Sequence, residues 1–82
     1  MSQFFFHTES DVRHSDDLGA DLPDMESARA EAVQLCGAMM KDGARKFWGT
    51  KPWTMTVTDA TGLIFFTLEV HGQDAPAAAP PR

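Results

Sequence analysis

Three histidines, one cysteine and twelve acidic side chains are the residues of this 82-residue chain that could hold a metal or move a proton. Their spacing suits neither task. His7, His14 and His71 fall into no C-x-x-C or H-E-x-x-H arrangement, the patterns that bring ligands together on one turn or helix face. His7 and His71 each close an extended segment, so they would meet only if those strands were neighbours. Cys36 falls on the apolar stripe of a helix, where a thiol behaves as a small hydrophobe, whereas a nucleophilic cysteine needs an electropositive, accessible setting. Asp11, Asp16 and Asp17 open no calcium loop with a central Gly and a closing Glu. The chain has no Gly-rich phosphate loop and no nucleophile elbow. The residues therefore predict no enzyme, no metal and no cofactor.

Residues 41–53, "KDGARKFWGTKPW", interleave Lys41, Arg45, Lys46 and Lys51 with Phe47, Trp48 and Trp53. Base stacking combined with phosphate pairing has this composition. So does an ordinary helix end, loop and strand start. The charge balance weighs against nucleic acid: 12 acidic against 7 basic side chains leave −5, and phosphate neutralisation drives nucleic-acid binding. The charge is also polarised along the chain. Residues 1–26 hold seven acids against Arg13 alone, and residues 41–51 hold four bases against Asp42. The two poles are either solvated loops or docking surfaces, for partners or for each other in a symmetric dimer. Asp11, Asp16, Asp17 and Asp21 are the candidate acidic partner surface.

These side chains must be positioned by a small scaffold. A chain of this length buries only roughly 60% of its unfolded surface, so an oligomeric interface often supplements its core. A single cysteine permits no intramolecular disulfide, which fits a reducing cytosol. There is no basic segment followed by an apolar run at the N-terminus, and no apolar stretch approaches the roughly 20 residues that span a bilayer. The expectation is a soluble cytoplasmic protein with no membrane partner.

The elements follow from periodicity and punctuation. Residues 3–8 are aromatic and β-favouring and read as a first strand. Residues 9–17 permit a turn and a short second strand around 12–16, and "DDLGADLPD" reads as loop, punctuated by Gly19 and Pro23. Asp24 is placed to cap a helix over 25–41. There Met25, Ala28, Ala32, Leu35, Cys36, Met39 and Met40 form one stripe. Gly43 is a plausible terminator. Trp53, Met55 and Val57 alternate with Thr54, Thr56 and Thr58, the period of a half-buried strand. "DATG" is a hairpin connection in which Asp59 opens a type I turn and Gly62 takes positive φ. Residues 63–70 return as the last strand, and 73–82 form a Pro/Ala tail expected to be disordered. The fold class is α+β: ββαββ, a three- or four-stranded sheet with one helix on one face, in a single domain of residues 1–72.

Strict alternation leaves apolar residues over. If Ile64, Phe66, Leu68 and Val70 face the helix, Leu63 and Phe65 face away, and so does at least one of Phe4, Phe5 and Phe6. A monomer should not expose such a patch. Either the 44–52 loop covers it, or a second subunit or another protein does. The candidate interface is Phe5, Leu63 and Phe65, with Phe47 and Trp48 at its rim.

"FFFH", the acidic Gly-containing loop, "LPDMESARAEA" and "VTDATGLIFFTLEV" together resemble a family of short alphaproteobacterial proteins classed as a domain of unknown function, over about residues 3–70. The resemblance implies the ββαββ fold and a bacterial cytosolic setting, and it implies no activity. A weaker similarity runs to HicB-type antitoxins, which carry a comparable short strand, acidic loop, "P-D" and "EA"-rich helix. These observations together predict a small non-catalytic protein-binding or adaptor module, self-associating as a homodimer through the outer sheet face or binding another protein. The alternative is an acidic inhibitor or antitoxin-like protein that masks a basic site on a toxin or nuclease.

Overall fold

The three consecutive phenylalanines lie in the strand that organises the sheet, β1 (Ser2–Glu9). The computed structural model describes residues 2–48 and 52–75. After β1 come β2 (Arg13–His14), β3 (Ala20–Leu22), the helix α1 (Met25–Asp42), the single turn α2 (Ala44–Phe47), β4 (Trp53–Thr58) and β5 (Ile64–Val70). The fold is α+β in the expected order, with one main helix on one open antiparallel sheet ordered β2-β1-β4-β5. The second strand contracts to Arg13–His14, opposite Thr8 and Glu9. The segment expected to be only loop holds β3, which pairs with Ser2, Gln3 and Phe4. Three residues carry too little pattern to read as a strand; the edge of β1 makes them one, and Ala20 and Leu22 pack against the core.

The helix forms as its sequence predicts. Asp24 caps it, its carboxylate accepting the Ser27 N–H at 2.8 Å, and Glu26 and Lys41 lie at the ends of the dipole that suit their charges. Gly43 closes it, donating its N–H to the Met39 carbonyl at 3.0 Å. The buried positions Ala28, Ala32 and Cys36 are small, so the helix axis sits low on the sheet. Gly37 faces open space inside this helix. Gly37→Ala is therefore expected to stabilise the protein by about 0.5–1 kcal/mol, raising Tm by roughly 3–6 °C in a thermal melt.

The β4–β5 hairpin closes through Asp59. Its carboxylate accepts the Thr61 N–H at 2.8 Å, the Thr61 hydroxyl at 2.7 Å and the Leu63 N–H at 2.9 Å. Gly62 takes φ +95° and donates to the Asp59 carbonyl at 3.1 Å. Met55 and Val57 alternate inward as expected and are fully buried, completing a core with Phe4, Phe6, Ala28 and Ala32. The alternation fails in β5. Val57 pairs with Phe66 but Thr58 with Ile64, so Phe65 is the extra residue of a β-bulge. Residues 49–51 of the insert, and 76–82 of the expected tail, lie outside the described residues; Gln73, Asp74 and Ala75 carry no regular structure.

Candidate functional site

The bulge decides which residues face outward. With Ile64, Phe65 and Phe66 spanning the length of Val57 and Thr58, Phe65 turns to the helix side. Its ring packs against Phe4, with centroids 5.3 Å apart and planes tilted by 56°. The outward placement expected for Phe65 is thus corrected, and Ile64, expected inward, is 59% exposed. Phe5 does lie on the outer face, opposite Thr58, and is half-buried. Its ring lies against Gly19, where an added Cβ would come within 2.8 Å of it. Gly19 also has φ +74°, so both space and backbone require glycine. Leu63 is exposed in the turn. The rest of the outer face is polar: Glu9, His7, Thr54, Thr56, Thr67 and Glu69.

Phe47 and Trp48 belong to the helix side. Their rings meet edge to face at 5.8 Å. Phe47 lines a recess of about 220 Å³ with Met39, Met40, Lys46 and Trp53. Trp48 is 63% exposed and lies against Gly72, which a Cβ would crowd at 2.6 Å. The described part of the insert therefore packs at the end of α1 rather than over the outer sheet face.

One of the four candidate acids has a structural task. Asp16 accepts the Phe6 N–H through Oδ2 at 3.0 Å, and the Leu18 and Gly19 N–H groups through Oδ1 at 3.0 and 3.1 Å. Burial pushes this carboxyl up, but the three backbone donors and nearby His7 outweigh it and hold Asp16 below the usual carboxylate range. The Asp16 N–H in turn donates to His7 Nδ1 at 3.1 Å. The other ring nitrogen, Nε2, lies 3.0 Å from Thr58 Oγ1. The Thr58 hydroxyl donates onward to the Asp59 carbonyl at 3.0 Å. His7 and His71 do not meet, because β4 separates β1 from β5. Asp11, Asp17 and Asp21 are exposed.

This arrangement closes one edge of the sheet. Along β1, residues Ser2, Gln3 and Phe4 pair with β3, the Phe6 N–H meets the Asp16 carboxylate, and Thr8 and Glu9 pair with β2. The opposite edge is different. Among the described residues the seven-residue β5 pairs with β4 alone. The helix packs chiefly against β3 and β4, so the inward-facing Phe66, Leu68 and Val70 remain half-buried. Glu31 and Leu35 line a cleft towards the β2–β3 segment. Helical geometry then places Val33 and Met40 on the other flank, towards β5, and Val33 is 61% exposed. An apolar strip beside a strand edge that is unpaired among the described residues is the feature that reading strict alternation missed. The consecutive Phe65 and Phe66 were its only sequence signal.

Cys36 is buried, its Sγ 3.8 Å from Met40 Sδ, and burial pushes the thiol pKa up, away from the reactive thiolate. Among the described residues no group of three His, Cys, Asp or Glu side chains is disposed to hold a metal, and no helix is long and apolar enough to cross a membrane. Compared with known proteins, residues 3–71 match the family model of a domain of unknown function, DUF6894. No curated protein matches the chain, and no solved structure does.

Proposed function

This chain belongs to the DUF6894 family, and we propose that it is a small non-catalytic protein-binding module that takes a partner along β5. The observation that carries this reading is the outer edge of the seven-residue β5, unpaired among the described residues, with Phe66, Leu68 and Val70 half-buried beside it. Main-chain hydrogen bonds supply affinity when a strand adds to such an edge, and alternate side chains supply selectivity. The binding surface is thus moved from the outer face to the strand edge and its helix side. A reducing bacterial cytoplasm suits the chain, since its lone buried Cys36 stays a free thiol there.

A second reading rests on Asp11, Asp17 and Asp21, which are exposed on the segment between β1 and α1. In it the chain is an acidic inhibitor that covers a basic site on a toxin or nuclease. One experiment separates the two. The tagged chain is used to capture proteins from its source cells, beside Leu68→Lys and a triple Asp→Asn variant at 11, 17 and 21. The β5 reading expects Leu68→Lys to lose at least tenfold of the captured protein, the rough cost of burying an unpaired charge at an interface, while the triple variant retains it. The reverse pattern establishes the inhibitor. Equal capture by all three removes both.

A further inference from the structure

We infer that the occupant of β5 is a second copy of this chain, paired antiparallel to it about a twofold axis at Leu68. The inference rests on the β5 reading above and adds the partner and the register.

A twofold axis perpendicular to the sheet pairs two β5 strands antiparallel and keeps like faces together. Only the register is then left to choose, and the residues of β5 choose it. An axis at Glu69 sets two carboxylates opposite each other, which is unfavourable. An axis at Thr67 sets Glu69 against Phe65, the bulge residue whose ring packs on Phe4 and which has no polar side chain to meet a carboxylate. An axis at Phe66 puts the bulge in the middle of the ladder, where it interrupts pairing. An axis at Val70 runs the ladder past the end of β5 and sets Leu68 against Gly72, which Trp48 crowds. An axis at Leu68 avoids all four. The exposed Thr67 and Glu69 of the outer face then lie opposite one another twice, hydroxyl to carboxylate. On the helix side Leu68 faces its own copy, and Phe66 faces the partner's Val70 twice. The bulge falls beyond the last pair. The half-buried Phe66, Leu68 and Val70 of both copies then form one apolar layer, with no like charges opposed.

Thr67 is exposed on the outer face, so its replacement tests the register without disturbing the core. Sedimentation of the full chain across a concentration series, with Thr67→Lys and Thr67→Glu beside it, is the experiment. The wild type is expected to run at twice the chain mass. Thr67→Lys faces Glu69 twice and should tighten the dimer about fivefold, and Thr67→Glu should weaken it by a similar factor or more. Far-UV circular dichroism checks that each variant is folded. A dimer loosened by both substitutions places the axis on Thr67 and overturns this register. A dimer indifferent to both does not set Thr67 against Glu69 and overturns this register. A chain that is monomeric throughout also overturns it. If that monomer still captures a foreign protein and loses it on Leu68→Lys, the β5 reading stands while the second copy does not.

Discussion

Met55→Ala should cost about 3 kcal/mol of stability, the middle of the range for emptying a buried methionine site, and should lower Tm by about 15 °C. Met55 is fully buried. It is flanked by Thr8 on β1 and Leu68 on β5 and belongs to the same core cluster as Ala28 and Ala32 of the helix. Neighbours cannot collapse into the vacated space, because the alanines are already small and the strands are fixed by their ladders. A domain of 82 residues has only roughly 4–12 kcal/mol to lose, so the variant keeps a slender margin. Urea unfolding with the exposed Leu63→Ala as a control measures the difference. A loss below about 1 kcal/mol would mean that the core is not organised on β4.

Asp16→Asn should have the next largest effect, about 2 kcal/mol, because hydrogen bonds to a charged acceptor exceed neutral ones: the amide that replaces Oδ2 cannot accept the Phe6 N–H, and the Leu18 and Gly19 N–H groups keep only a neutral amide oxygen. Its pH dependence has a definite sign. The carboxyl is held below its ordinary value in the fold, so its contribution is complete above the unfolded value of about 3.9. It is lost as pH falls through the depressed folded value. Asp24 and Asp59 are likewise held low, Asp24 by its bond from Ser27 and Asp59 by bonds led by the Thr61 hydroxyl. The wild type therefore loses several contributions in acid. The gap between wild type and Asp16→Asn isolates one of them: it should stand open at pH 7 and narrow below about pH 4. A gap that is constant down to pH 2.5 would show that the charge of Asp16 does not hold the β2–β3 segment.

What was legible in the sequence was what neighbours in the chain decide. The Asp24 cap reaches Ser27, the Asp59 turn reaches Thr61 and Leu63, and the alternation of β4 needs only its own residues. What pairing decides was not legible. Phe65 becomes a bulge residue only because Thr58 pairs with Ile64, and β3 becomes a strand only because β1 has an edge to fill. Asp16 was grouped with the acids for a partner, yet its decisive bond goes to Phe6, ten residues earlier. Half of its task was written locally, since a carboxylate reaching the amides two and three residues on is an Asx turn. The candidate surface moved for the same reason: one extra residue in β5 sends Phe65 inward and leaves an edge strand, rather than a face, as the apolar feature.

The unequal edges of the sheet also limit growth. Polymerisation into a fibre needs two sticky sides on every unit, one to receive and one to offer. On the β1 side the edge is broken into two short strands and a carboxylate, which offers an incoming strand no continuous ladder. Loss of the Asp16 carboxylate is expected to free the Phe6 N–H on that edge and so lower this barrier to strand addition.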